Sequence, residues 1–504
     1  MVSVMLSQLR SKMDWVLTFI IVVNAVRGVL SAYPVPLTWD EAVYANLAND
    51  FFYFGFLCYQ PLQVLLDFSR VPLLPFTIFL VYLVTTPNII VAQMVSFLIS
   101  LAGIYAVYLL GKEMYSETVG KFSALALSCG LTFFIIVWGI LSEVPYILFS
   151  SLFLLFIVRA QKNPKYYVPA GVSLTLSFLS RYPGALILFV GLAYIILSKN
   201  LRNTLKSPWL YLGIICALLT AAPWLYFSKI NTGDWLGFIR LFFTSTQSWS
   251  RTPYSNIFAP PNPLQLVLFY LESLAYALIP IVTPAFLLPY FYKASQAEKS
   301  SPQGRTLLFW ILSSLLAYLL LMPNSRPVDF FRYNQTSLPA FCILTGFGLA
   351  IFLTDEFHDR KNILNIVRGN PLRNRKNLAV LLLILNITGG FIGVYIVRTN
   401  PEVLQPLPVY QYLKNTTYPW QIILTNVYPM ATHYTDRLCL WIPDIPSWLD
   451  DWARSGHIGA IFVSLFNYVP LTSLLHLETS PLYQRELVIY YQGFPYMIVY
   501  RVRS

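Results

Sequence analysis

Apolar stretches of roughly 18 or more residues recur along most of this chain, each long enough to cross a hydrocarbon layer of about 30 Å. Candidate spans lie at about 14–33, 89–111, 120–139, 144–160, 166–180, 183–198, 208–228, 265–292, 306–323, 336–353 and 378–397. The interruption within 166–198 and the length of 265–292 leave the count open by one or two. Composition agrees with a lipid environment: 57% of the 504 residues are hydrophobic and only 11% are charged, unlike a soluble protein. The 34 Tyr and 12 Trp suit membrane–water boundaries, where such rings gather. The expected fold class is an all-α polytopic membrane protein of about eleven transmembrane helices.

The net charge of +12 would suggest nucleic acid in a soluble protein. Here the basic residues collect in alternate connections, at Arg10 and Lys12, Lys112 and Lys121, Arg159 to Lys165, Lys199 to Lys206, Lys293 to Arg305 and Arg360 to Lys376. Cytoplasmic loops carry such an excess, so the N-terminus is expected inside and the C-terminus outside, with no nucleic-acid partner. The first apolar run is too long and lacks the small-residue cleavage pattern of a removable leader, so it reads as a retained anchor. Cys58, Cys129, Cys216, Cys342 and Cys439 are scattered without metal-ligand spacing and read as small apolar side chains.

Two outer segments exceed plain connectors. Residues 34–88 hold polar and aromatic patches and a short apolar piece, Pro72 to Val84, expected to lie along the membrane surface. Residues 398–504 follow the last span. Runs at Ile422–Leu424, Ile458–Phe462, Leu487–Tyr491 and Tyr496–Val502 read as strands, and Pro446–Arg454 reads as a helix. The expected organisation is a membrane domain over 1–397 and a small soluble α/β domain over 398–504 on the extracytoplasmic side.

Thr38-Trp39-Asp40-Glu41-Ala42-Val43-Tyr44 follows directly on the first span. An acid near the start of a helix is favoured by capping and by the helix dipole. That accounts for one carboxylate, and less well for two adjacent ones beside a membrane, where desolvating charge is costly. A further acid, Glu143, occupies a short outer turn at Ser142-Glu143-Val144-Pro145, where Ser142 is placed to cap and Pro145 to start a helix. Basic residues on this face are few: Arg70 before Val71-Pro72, Arg181 before Tyr182-Pro183, Arg326 and Arg332 before a late span, and Arg27 within the first span. A lone arginine there usually snorkels or pairs with an acid. As a set, their planar forks suit a phosphate.

The ordered set resembles the C-fold glycosyltransferases, in particular the dolichyl-phosphate-mannose protein mannosyltransferases and the bacterial aminoarabinose lipid A transferases. The elements that carry the likeness are the Asp40-Glu41 pair with Tyr44 three residues on, Arg70 before Pro72 and its apolar helix, Glu143, Ser180-Arg181-Tyr182-Pro183-Gly184-Ala185, and Arg332-Tyr333 leading to Leu338-Pro339. They span about residues 10–355, and the tail matches only in kind. The first loop lacks the family's double proline, and the second acid is Glu rather than Asp, so the subfamily and the sugar stay open.

The resemblance implies a sugar carried on a polyprenyl phosphate of dolichyl type and transferred to an acceptor hydroxyl on a protein, lipid or glycan. It assigns the base to Asp40, with Glu41 and Glu143 as further acidic site residues. Arg332, Arg181, Arg70 and Arg326 are the candidates for the donor phosphate, and Tyr44 and Tyr333 line the site. One base and one displacement imply inversion at the anomeric carbon. No cofactor is required; Asp40 and Glu143 are carboxylates of the kind that suits a hard divalent cation.

The main alternative is a transporter or flippase of lipid-linked sugars. Such proteins tend to show duplicated halves and charges at the bilayer midplane, which this chain lacks. An oligosaccharyltransferase is disfavoured because the Trp-Trp-Asp signature is absent. The setting is a plasma membrane in a prokaryote or an endoplasmic reticulum in a eukaryote.

Overall fold

A computed structural model describes residues 15–32, 36–54, 70–130, 139–240, 301–321, 334–353, 404–443, 445–465, 471–491 and 494–503, with single positions between them. The expected span at 265–292, the basic cluster at 360–376, Cys58, Arg326, Arg332 and Tyr333 lie outside the described residues.

The membrane part is built from α1 (Trp15–Ser31), α2 (Trp39–Phe54), α3 (Leu73–Tyr82), α4 (Ile89–Met114), α5 (Glu117–Ser128), α6 (Glu143–Ala160), α7 (Tyr167–Ser180), α8 (Ile187–Leu197), α9 (Pro208–Thr232), α10 (Pro302–Leu321) and α11 (Leu338–Leu353). Among the described residues, three helices are long and apolar enough to cross a membrane: Ile89–Met114, Glu143–Ala160 and Pro208–Ile230. They take different places in the bundle. The apolar window of α6 is 72% buried and that of α9 only 17%, so α6 is a central helix and α9 turns most of its surface outward.

Local chemistry sets the ends. The Asn88 side chain accepts from the Ile90 amide and Ser116 from the Val119 amide, satisfying N–H groups that a helix start leaves over. The apolar run at 120–139 does not form one long helix: α5 stops at Ser128, where the Gly130 amide closes onto Leu127 O in the tighter bonding of helix ends. The helix α9 runs to Thr232 and stops at Gly233, whose φ of +74° is open to glycine. Gly171 and Gly213 let α7 and α9 cross closely. A Cβ on Gly171 would lie 2.1 Å from Gly213 O, and one on Gly213 would lie 2.3 Å from Tyr167 O.

One end of the bundle gathers basic side chains onto a few acids. Arg159 and Lys162 meet Glu113 at 3.3 and 2.9 Å, while Lys112 and Lys121 each lie 3.2 Å from Glu117. The opposite end carries α2, α3 and the turns at 139–143 and 181–186. Pro72 to Val84 forms the expected short helix, as α3.

The C-terminal part is a five-stranded sheet: β1 (Ile422–Thr425), β2 (Cys439–Leu440), β3 (Ile458–Ser464), β4 (Tyr483–Tyr491) and β5 (Phe494–Val502), in the order β2-β1-β3-β5-β4. The strands β2, β1 and β3 run parallel, and β5 lies antiparallel to both β3 and β4. All seven residues of β3 are buried, as expected of a strand covered on both faces. The helices α12 (Leu407–Thr416), α13 (Tyr428–Thr435), α14 (Pro446–Arg454) and α15 (Leu471–Thr479) complete it. One apolar core joins this sheet to the membrane part: Ala42, Tyr44, Phe51, Leu74 and Tyr182 share it with Tyr410, Tyr428, Ala431 and Phe462.

Candidate active site

The helix α2 begins directly after Thr38, and Asp40 and Glu41 occupy its first turn. Glu41 folds back to the helix start, where its Oε2 accepts both the Thr38 amide N–H and the Thr38 hydroxyl at 2.7 Å. The Thr38 carbonyl takes the Ala42 amide at 3.0 Å. Glu41 is 1% exposed, and these two donors compensate a carboxylate taken out of water. Asp40 points elsewhere: Oδ1 lies 2.8 Å from Arg70 Nη2. Arg70 stands just before α3, so the pair ties the two helices of the first loop together.

A second ion pair lies nearby. Glu143 starts α6, and its Oε1 meets Arg181 Nη1 at 2.9 Å. Arg181 ends α7 in an extended conformation before the 3-10 turn Tyr182–Leu186. Both partners are buried. Ser142 does not cap α6 as its sequence position suggests. It is itself helical, with φ −64° and ψ −17°, makes no capping bond, and its hydroxyl reaches Glu143 Oε2 at 3.4 Å.

The two pairs are joined. The Tyr182 hydroxyl donates to the Arg70 carbonyl at 3.2 Å, and its ring stacks on Phe238 at 5.1 Å. Tyr44, one turn after Asp40, is buried within reach of both pairs. Burial pushes its phenol up, Arg70 opposes, Asp40 and Glu143 add to the rise, and a hydrogen bond with Ser142 opposes it. The structure therefore brings together Asp40, Glu41, Tyr44, Arg70, Glu143 and Arg181 from four separate segments. Arg27 lies within the first span, in α1. It is 2% exposed within α1, bonded to Asn24 Oδ1 at 2.7 Å and 4.8 Å above the Phe133 ring.

Several groups near these acids carry little signal in the sequence. Gly139 packs against the Glu41 carboxylate, and Ser96 holds the Gly139 carbonyl at 2.8 Å. From the C-terminal part, Tyr434 accepts the Leu37 amide at 2.8 Å, and the Pro429 carbonyl accepts from Asn46 at 2.8 Å. Trp39 meets Tyr428 and Trp441 edge-on at 5.5 and 6.5 Å. A lone glycine, or a tyrosine nearly four hundred residues away, gives sequence reasoning nothing to hold. Among the described residues no three His, Cys, Asp or Glu side chains are grouped to hold a metal ion.

The family model of the dolichyl-phosphate-mannose–protein mannosyltransferases matches residues 69–227, a stretch that contains Arg70, Glu143 and Arg181 and begins after Asp40. The structure is similar to ArnT from Cupriavidus metallidurans bound to undecaprenyl phosphate, with a TM-score of 0.66 and 15% identity over 96% of this chain and 98% of that one. The chain has the C-type glycosyltransferase fold. The same fold links it to the Archaeoglobus fulgidus oligosaccharyltransferase in complex with zinc and sulfate, at a TM-score of 0.55 and 13% identity over 88% and 68% of the two chains. The arabinofuranosyltransferase AftD from Mycobacteria reaches a TM-score of 0.50 and 11% identity over 97% of this chain and 40% of its own. No curated protein matches the chain in sequence.

Proposed function

We propose that this protein is an integral membrane glycosyltransferase that moves a sugar from a polyprenyl phosphate to an acceptor hydroxyl on the extracytoplasmic face. The observation that carries the reading is the pairing of Asp40 with Arg70 and of Glu143 with Arg181 at one end of a bundle with this fold. A lipid-linked phosphate is the anion such a site would receive, since a guanidinium fork matches its oxygens. The ArnT structure and one of the Archaeoglobus fulgidus oligosaccharyltransferase AglB were determined with undecaprenyl phosphate and with a dolichol phosphate, which supports this donor class.

In the transfer, the acceptor oxygen attacks the anomeric carbon as the bond from that carbon to the phosphate oxygen breaks. The electron pair leaves with the prenyl phosphate, and the hydroxyl proton passes to Asp40. The leaving group is already a stable anion and needs positive charge rather than a proton. Arg70 supplies it: the incoming phosphate draws the guanidinium from Asp40, and the base becomes available as the donor arrives. Arg181 holds Glu143 in place, and the resemblance assigns Arg332 and Tyr333 to the same phosphate. One displacement inverts the anomeric centre.

The test is sugar transfer by the purified protein in vesicles with a panel of labelled polyprenyl-phosphate sugars. Loss of a positioned base typically costs about 10²- to 10⁴-fold, so Asp40→Asn is expected to lose transfer by that factor while inserting normally. Wild-type turnover in Asp40→Asn would remove Asp40 from the role. Donor movement across the bilayer without transfer would reassign the chain to lipid-linked sugar transport.

A further inference from the structure

The Glu41 carboxylate is held on two sides. Its Oε2 takes both donors of Thr38 at 2.7 Å, and its Oε1 rests against the bare Cα of Gly139. A Cβ built there would lie 2.3 Å from Oε1 and 3.1 Å from the carboxyl carbon. Gly139 is itself tied down, because Ser96 in α4 donates to its carbonyl at 2.8 Å. No positive φ is recorded at Gly139, so the space in front of its Cα, rather than its backbone conformation, is what an alanine would change.

We infer that Gly139, fixed by Ser96, is a positioning residue for the transfer reaction: it seats Glu41, which through Thr38 locks the helical turn that presents Asp40. This rests on the reading of Asp40 as the base. The arrangement divides the acid pair by role. Asp40 faces Arg70 and the reacting groups, while Glu41 faces inward, and its charge is used to fix the start of α2. A methyl group on Gly139 forces Oε1 back by roughly 1 Å to ordinary contact. The carboxylate then cannot keep its geometry on Thr38, and the first turn of α2 shifts with it. Misplacements of that size near the reacting atoms cost up to about 10²-fold in rate. The obstructed atom is the end of a side chain rather than backbone, so the fold absorbs the change.

The experiment compares Gly139→Ala, Ser96→Ala, Glu41→Asp and the double variant Gly139→Ala/Glu41→Asp with wild type and Asp40→Asn, measuring kcat, KM for the lipid donor and thermal unfolding. Gly139→Ala is expected to lower kcat by about 10- to 100-fold with KM for the donor within twofold. Ser96→Ala adds no bulk and is expected to give a smaller loss in the same direction. The decisive arm is rescue. Glu41→Asp alone loses rate because the shorter side chain leaves the seat empty, yet it restores kcat in the Gly139→Ala background by giving the methyl group room. Wild-type kcat in Gly139→Ala, or a loss that Glu41→Asp does not reverse, overturns the seat while leaving the base assignment intact. An active Asp40→Asn overturns the base assignment itself, whatever Gly139→Ala does.

Discussion

Asp50 lies about three turns beyond Asp40 on the same helix, and burial pushes its carboxyl up to about 7. The ordinary carboxylate value is about 3.9. Between about pH 4 and pH 7 the unfolded chain has therefore released a proton that the folded chain still holds. Stability declines as pH rises through that window and is flat above it, where both states are ionised. Asp50→Asn removes the group that must ionise in a buried place. It is expected to raise the unfolding temperature at pH 8 relative to wild type and to leave it nearly unchanged at pH 4. A difference that does not vary with pH would show that the carboxyl titrates normally. Asp40 and Glu41 stood out in the sequence as a candidate site because two adjacent acids beside a membrane exceed what helix capping needs. Their separation into a carboxylate facing Arg70 and a carboxylate facing Gly139 was not, since it depends on which way two neighbouring side chains turn. Arg27 lies within α1, and the ring of Phe133 that covers it, distant in sequence, gave no signal.

The helix α2 is the element on which both parts of the molecule close. Asp40 at its start is tied to Arg70, while its other side receives Tyr428, Pro429 and Tyr434 from the segment around α13. Tyr434 accepts the amide of the nearly inaccessible Leu37. Leaving such a donor without its acceptor costs about 1–3 kcal/mol. Tyr434→Phe is therefore expected to speed amide exchange over residues 37–48 by about tenfold, with α4 unaffected, and to reduce transfer alongside. Unchanged exchange in 37–48 would show that α2 holds its place without this contact. The helices of the membrane part and the longer strands of the tail were readable from apolar runs and β-branched clusters. The sequence did not reveal β2, α12, α13 or α15: β2 has two residues and the three helices have 8 to 10. Segments that short take their form from the sheet they cover, and tertiary contacts override such weak local preferences.

At the scale of the whole molecule, the basic excess and the acids of the candidate site sit at opposite ends of one bundle. The first end holds Glu113, Glu117, Arg159, Lys162 and the short helix at Leu201–Lys206, where Tyr167 and Thr204 meet at 2.7 Å. The second holds α2, α3 and, packed on them, the C-terminal sheet. Positive charge near the ends of spans is retained on the cytoplasmic side, so the orientation proposed here puts the site and the sheet together on the other side. Single cysteines at two exposed positions test it, placed in a background with the native cysteines replaced. Arg202→Cys lies at the basic end, and Trp420→Cys lies in the tail, where Trp420 is 62% exposed. In sealed right-side-out vesicles a membrane-impermeant maleimide is expected to label Trp420→Cys at once and Arg202→Cys only after permeabilisation. Labelling of both from outside would place the two ends on one face and break the bundle as described. Labelling of Arg202→Cys alone would keep the bundle and turn it over, and the lipid-linked donor would then have to be met from the cytoplasmic leaflet. On the proposed function, the orientation thus decides which leaflet supplies the sugar, because a phosphate headgroup at the surface would reach Asp40 and Arg70 only from the side on which α2 lies.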